Sequence, residues 1–474
     1  MTALCEDSKI SDQSSKPLSR ERLAAHYREV RAATAALAAP LTPEDCAIQS
    51  MPDASPVKWH LAHTSWFFET FVLASAGRDY RPFDPRFAYL FNSYYDAVGA
   101  RLPRSQRGLL SRPTLSEVYR YRAHIDDQML ELLGTEDLPS AGAATIELGL
   151  HHEQQHQELV LTDLKHAFAC NPMRPAYRER TPPSVPTGGM PTLTPAGTGE
   201  AAEARVGIAR RPEWVSFPAG LYGHGHDGNG FAFDNETPRH QVWQPAYQLA
   251  SWLVTNGEFL AFMDAGGYER PEFWLADGWE VCGGQRWQAP LYWEQQGQTW
   301  WLMTLGGMQP VNEAEPVCHV SFFEADAFAR WAGARLPTEV EWEVAAERQS
   351  LAGNFLESGL LQPVPIGCDA HAGLPGCSVR AEAGVVMPPL GQLFGDVWEW
   401  TVSAYLPYPG YRPLPGALGE YNGKFMCNQV VLRGGSCLTP AAHIRPTYRN
   451  FFPPKTRWQC TGIRVAKDAR HQDL

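Results

Sequence analysis

The chain has 474 residues, 44% of them hydrophobic, which is enough for two or three packed domains and too long for one. A formal charge of −12 at pH 7 speaks against a nucleic-acid surface, which would need a basic patch. No run of eighteen apolar residues offers a membrane span, and the polar residues 1–16 lack the apolar stretch of a secretion signal, so a cytoplasmic location is expected.

In chain order, residues 1–18 read as a polar tail. Four long amphipathic segments, 20–38, 56–76, 115–133 and 144–169, then predict a four-helix bundle over 19–170. The second segment is aromatic-rich and carries His60 and His63 one turn apart. His63 sits among Ala62, Trp66 and Phe67, on the stripe expected to face the bundle interior, whereas His60 reads as a capped or surface histidine. Between the second and third segments lies a long loop, 78–113. It holds Asn92-Ser93-Tyr94-Tyr95 and the spaced arginines Arg101, Arg104 and Arg107. Structureless loops of that length in compact domains are usually functional.

The fourth segment contains the most informative stretch, His151-His152-Glu153-Gln154-Gln155-His156. Residues four apart share a helix face, so His152 and His156 can converge on one metal ion. The same residues match the H-E-x-x-H of zinc metalloproteases, whose Glu activates a metal-bound water. The extended form of that motif needs a third ligand downstream. Here Leu159 replaces its glycine, and Asp163 or its apolar neighbours stand where the last histidine belongs. The third ligand is therefore sought upstream, at His63. Three histidines without a protein carboxylate leave positions open for substrate or oxygen.

Residues 171–212 are rich in Pro, Gly and Thr and read as a connector. From 213 to 470 the texture changes to short strands, glycine turns and many Trp, with helices expected only near 254–265, 323–332 and 338–348. The ten cysteines are scattered without a C-x-x-C spacing and read as free thiols in a reducing compartment. Seven ordered signatures punctuate this half. They open with Trp214-Val-Ser-Phe-Pro-Ala-Gly and Phe233-Asp-Asn-Glu-Thr-Pro, followed by Pro316-Val-Cys-His-Val-Ser and Arg335-Leu-Pro-Thr-Glu-Val-Glu-Trp-Glu. Gly395-Asp-Val-Trp-Glu-Trp, Leu432-Arg-Gly-Gly-Ser and Gly462-Ile-Arg-Val complete the series.

That series resembles the domain of formylglycine-generating enzymes and sulfatase-modifying factors, a C-type-lectin-like α+β fold. Cys437 and Cys460 do not fall in that family's catalytic spacing, so the domain reads as a scaffold whose own chemistry has been replaced. Joined to a DinB-like four-helix bundle carrying Trp59-His-Leu-Ala-His63 and the His152–His156 helix, the chain resembles the ergothioneine-biosynthesis sulfoxide synthases, including the closely related selenoneine synthases. The resemblance implies a non-haem iron(II) enzyme, the metal held by His63, His152 and His156. It further implies that O2 is used to join a thiol or selenol donor to C2 of the imidazole of hercynine, the trimethylated betaine of histidine.

By the same resemblance, Tyr94 and Tyr95 are the active-site tyrosine pair, Gln155 and Asn450 contact hercynine, and Arg104 and Arg107 hold the donor. Phe451 and Phe452 follow Asn450, and an aromatic face suits a quaternary ammonium. Leu102 stands where the tyrosine-pair branch carries histidine, and Cys427 stands where an apolar residue is expected. The donor therefore stays open among cysteine, γ-glutamylcysteine and a selenosugar. The expected partners are small molecules alone, with no nucleic acid and no membrane. A zinc-dependent DinB-type thiol transferase is the alternative enzyme. A non-catalytic binding module would have no use for ligand-quality histidines on two helices.

Overall fold

Helix α1 (Arg20–Ala38) begins where Ser19 Oγ accepts the backbone N–H of Arg22. It is the first element of a computed structural model that describes residues 19–76, 80–135, 140–179, 213–366 and 390–469. The expected N-terminal tail and the connector beyond residue 179 lie outside the described residues. Helix α2 (Val57–Phe68) is buried along its whole length and widens into a π turn over Glu69–Leu73. A single turn, α3 (Phe87–Leu90), interrupts the long loop. Helix α4 (Leu115–Gly134) starts at a capping box in which Thr114 and Glu117 satisfy each other's backbone amides, and α5 (Ser140–Cys170) completes the bundle.

Close approach of α2 and α5 depends on Gly149. A Cβ there would come within 2.6 Å of the Phe68 ring and 2.8 Å of the Phe67 ring. The glycine lets the two helices that carry histidines meet at short range, one turn before His152.

Strands β1 (Trp214–Phe217), β4 (Tyr247–Ala250) and β12 (Ala466–Asp468) form one antiparallel sheet. A second sheet runs in the order β10–β9–β8–β11, from β8 (Trp398–Ala404), β9 (Val430–Arg433), β10 (Asn450–Phe452) and β11 (Thr461–Gly462). Two meanders complete the strands: β2 (Gly220–His224) with β3 (His240–Gln244), and β5 (Trp293–Gln296), β6 (Thr299–Thr304) and β7 (Gly307–Pro310). Helices α6 (Asn256–Asp264), α8 (Phe322–Trp331) and α9 (Glu339–Ala346) fall where expected, each opened by a Thr/Ser-x-x-Glu capping box. Helix α7 (Ala276–Gln285) was not expected. Its Gly278, Gly283 and Gly284 lower helix propensity, and tertiary packing overrides that, with the Gly278 backbone lying against Phe323.

The seven signatures are mostly keystones of this domain. Glu399 of Asp-Val-Trp-Glu-Trp pairs at 3.0 Å with Arg464 of Gly-Ile-Arg-Val, both fully buried, and accepts from Trp342 Nε1 at 2.9 Å. Arg433 of Leu-Arg-Gly-Gly-Ser meets Glu343 at 2.6 Å, and Arg449 meets Glu339 at 3.0 Å. Burial raises both carboxyls, but Arg449 on Glu339 and Arg433 on Glu343 outweigh it and hold each down at about 2. No helix among the described residues is long and apolar enough to cross a membrane.

Candidate metal centre

His63 on α2 and His152 and His156 on α5 bring their Nε2 atoms together. His63 Nε2 lies 3.2 Å from His152 Nε2, which lies 3.1 Å from His156 Nε2. All three rings are buried, and their ligand atoms lie within 4.8 Å of one another. Three nitrogens bound at about 2.1 Å to one ion, at angles of about 90° to 109°, would lie about 3.0 to 3.4 Å apart. The spacing fits one face of a metal coordination sphere. Burial is the largest cause pushing all three imidazoles down, His152 to about 3, so they stand neutral with lone pairs available for a metal.

The outer nitrogens determine which lone pairs face inward. His63 Nδ1 donates to the carbonyl of Phe91 at 2.6 Å, and its ring is sandwiched between the indoles of Trp59 (4.5 Å, 15°) and Trp66 (5.4 Å, 18°). His156 Nδ1 lies 2.8 Å from His60 Nδ1, and His60 Nε2 lies 3.1 Å from Asp163 Oδ2. The Asp163 carboxylate accepts the Nε2–H of His60. His60 then offers its Nδ1 lone pair to the Nδ1–H of His156, which leaves His156 Nε2 free for the metal. His60 is therefore not a capped or surface residue. It is 2% exposed and orients the His156 ring.

Glu153, the glutamate of the H-E-x-x-H pattern, points away from this cluster. Its Oε2 lies 3.0 Å from Arg31 Nη1 and its Oε1 3.0 Å from Arg122 Nη2, with all three side chains buried. Burial raises its carboxyl, and the two guanidinium groups outweigh that and hold it ionised. It cannot serve as the water-activating base that a metalloprotease needs.

The centre opens on a cavity of about 780 Å³ between the bundle and the second half of the chain. Of the sequence-derived site residues, Tyr94, Arg104, Arg107, His152, Gln155, His156, Asn450, Phe451 and Phe452 line it. His63 lies behind His152, and Tyr95 lies behind Tyr94 (ring centroids 4.7 Å apart), its hydroxyl buried without a hydrogen-bond partner. Burial raises the Tyr94 phenol well above its usual range, so it holds its proton at neutral pH. Gln155 is locked on both sides: Tyr421 Oη donates to its Oε1, and its Nε2 donates to Tyr448 Oη at 2.6 Å. Asn450 opens β10 in register with Leu432 on β9, which sets it on the cavity wall.

Arg107 is 2% exposed, stacks over Trp59 at 3.4 Å and donates to Ser55 Oγ at 2.8 Å, yet its Nε has no partner. Among the described residues no carboxylate lies within ion-pair distance of it. Burial, and next Arg104, press its pKa well below the ordinary value, so the spot calls for an anion. Arg101 is instead paired with Asp96.

The amino-acid sequence matches two family profiles: the DinB superfamily over residues 26–160, and the sulfatase-modifying factor enzyme 1-like domain over 200–372 and 387–469. A hercynine oxygenase of Mycolicibacterium smegmatis is 34% identical over 440 residues, 89% of this chain and 92% of that protein. One from Mycobacterium tuberculosis is 32% identical over 463 residues, 95% and 99% of the two chains. The chain belongs to the ergothioneine-biosynthesis family of DinB–sulfatase-modifying-factor fusions. A formylglycine-generating enzyme of Streptomyces coelicolor, 30% identical, covers 58% of this chain, as expected of a relative sharing one domain of this fusion family.

Several residues of this family member's cavity escaped sequence reasoning. Tyr421 and Tyr448 hold Gln155, and His443 Nε2 lies 3.0 Å from Tyr448 Oη. Glu158, two residues beyond His156, accepts from Ser436 at 2.7 Å, Thr439 at 2.6 Å and Trp398 Nε1 at 2.8 Å, and burial pushes it up to about 7. Trp398 is both buried and on the cavity wall. Glu158 is one turn from Gln155 on the same face, a spacing that could have flagged it. Tyr421 stands in no motif and carries no such signal.

Proposed function

We propose that the protein is an O2-dependent non-haem iron(II) enzyme that joins a sulfur or selenium donor to C2 of the hercynine imidazole. For a thiol donor the balance is hercynine C2–H plus RS–H plus O2 giving the C2–S(=O)R sulfoxide and one water. The observation that carries this reading is the convergence of three neutral histidine nitrogens on the wall of one cavity. That cavity also presents a fixed amide, an unpaired guanidinium and a protonated phenol. The near full-length likeness to proteins named hercynine oxygenase supports the substrate.

His63, His152 and His156 would hold the metal. Iron(II) bound there supplies the binding and reduction of O2, with coordination positions left open because no carboxylate ligand occupies them. Gln155, immobilised between Tyr421 and Tyr448, holds a fixed amide toward the imidazole end of hercynine. The Asn450 amide both donates and accepts and suits the imidazole or the carboxylate, and Phe451 and Phe452 present aromatic faces to the trimethylammonium. Tyr94 is the proton source at the wall, with Tyr95 buttressing its ring. Arg107, with Arg104, takes the anionic group of the donor. A selenosugar has no amino-acid carboxylate, so the two arginines bear directly on which donor is used.

Anaerobic Fe(II) reconstitution, followed by O2 with hercynine and each of cysteine, γ-glutamylcysteine and a selenosugar, tests the reading by mass spectrometry. A hercynine adduct in one mixture establishes the reaction and the donor together. Absence of an adduct from all three, with zinc rather than iron retained, overturns it in favour of the thiol transferase.

A further inference from the structure

A second cluster of ligating groups lies away from the three-histidine centre, where α5 meets the second half of the chain. Cys318 and His319 precede α8, and Cys460 precedes β11. The ligand atoms of these three buried residues lie within 4.8 Å of one another. A fourth residue, Cys437, follows β9 and borders the same small cavity of about 20 Å³ together with Lys165 of α5. A void of that size holds about one water.

Three features of the cluster go unexplained by packing alone. His319 has φ +66°, a left-handed conformation rare for a residue with a side chain and one that is retained chiefly where the position matters. Its Nδ1 is buried without a hydrogen-bond partner, while Lys165 Nζ occupies its Nε2 at 2.6 Å. Lys165 itself is 6% exposed, and among the described residues no carboxylate lies within ion-pair distance of it.

We propose that Cys318, Cys460 and His319 Nδ1 form a second metal site, for zinc(II), with the fourth position facing the water-sized cavity. Thiolate and imidazole donors in a closed, buried setting are the ligand set that zinc takes in structural sites. Coordination through Nδ1 leaves Nε2, 2.6 Å from Lys165 Nζ, as the outer nitrogen whose partner fixes the ring's orientation. The ligand charges close: two thiols each release a proton, and one dipositive ion with two thiolates and an imidazole is neutral. The bond changes are two S–H bonds lost, with two protons released, and three metal–ligand bonds gained, with no change in oxidation state. Because Lys165 lies on the histidine-bearing helix and the ligands on the other half, the ion would fasten the seam behind the active cavity.

Cobalt(II) loading of the reduced, metal-free full chain reads the site directly, because only sulfur ligation produces a thiolate-to-cobalt charge-transfer absorption. Two equivalents are expected, one with that absorption and one without. In the His152→Ala chain the sulfur-bound equivalent persists. In Cys318→Ser or Cys460→Ser it disappears while the three-histidine equivalent stays. X-ray absorption of the zinc-loaded His152→Ala chain should show sulfur at about 2.3 Å. Lack of the charge-transfer band in the unmutated chain, or no zinc uptake by folded His152→Ala protein, overturns the proposal. The spectrum of the unmutated chain decides the matter even where a variant fails to fold.

Discussion

Replacing His60 by leucine should weaken the metal centre without touching a ligand. His156 Nδ1 now meets His60 Nδ1 at 2.8 Å, and His60 is in turn held by Asp163 at 3.1 Å, all within a buried pocket. Leucine removes the acceptor and leaves a buried N–H unpaired, which costs about 1–3 kcal/mol, and the inward lone pair on Nε2 is no longer enforced. Loss of such an outer partner typically lowers metal affinity about 10–100-fold, or roughly 1.4–2.7 kcal/mol, consistent with that range. Anaerobic titration of the metal-free chain with Fe(II) against a competing chelator measures it. Asp163→Asn keeps an acceptor oxygen for His60 and should lose less than His60→Leu, whereas His156→Ala should lose the metal outright. An iron affinity for His60→Leu within about threefold of the parent would falsify the relay and leave His60 as packing.

Tyr94→Phe should slow adduct formation by about 10²–10⁴ with hercynine affinity kept, as loss of a positioned proton donor does, while Tyr95→Phe should cost far less. Equal effects of the two variants on single-turnover rates would move the donor role away from the cavity-lining tyrosine. Arg107→Met should raise the KM for an anionic donor about 10–150-fold, the range for a charged hydrogen bond of about 1.5–3 kcal/mol, with iron content unchanged. An unchanged KM would show that the donor carboxylate binds elsewhere. Stability toward acid should track Glu339 and Glu343, whose folded pKa of about 2 lies below the unfolded value near 4.5. Their contribution, on the order of 3 kcal/mol each, is complete above the unfolded value and is lost as pH falls from about 4.5 toward 2. Denaturant midpoints across that window check it, and an acid slope for Glu343→Gln identical to the parent's would refute it.

Local chemistry made much of this protein legible in its sequence. The 3.6-residue period outlined four bundle helices, and the i, i+4 spacing of His152 and His156 announced a shared face before any packing was known. In the structure, Thr/Ser-x-x-Glu boxes open helices at Thr114, Thr255, Ser321 and Thr338, a local signal that the sequence reading did not use. Ordered signatures identified the second half, and Glu343, Glu399, Arg433 and Arg464 within them form its buried ion pairs. Helix α7 was missed because its glycines oppose the helix it forms and only packing against Phe323 sustains it.

What the chain order does not contain is which distant groups meet. His60 and His63 lie one turn apart on the same helix. Only the approach of α2 to α5, with Gly149 at the contact, brings His63 to His152 and sets His60 against the outer nitrogen of His156. Glu153 looks like a catalytic base in sequence, yet Arg31 and Arg122 claim it from two other helices. Gln155 is held by Tyr421 and Tyr448, more than 260 residues away. Helix periods and caps depend on residues a few positions apart and so survive in the linear sequence. Lone-pair direction, ion-pair choice and cavity lining depend on side chains that only tertiary packing brings together.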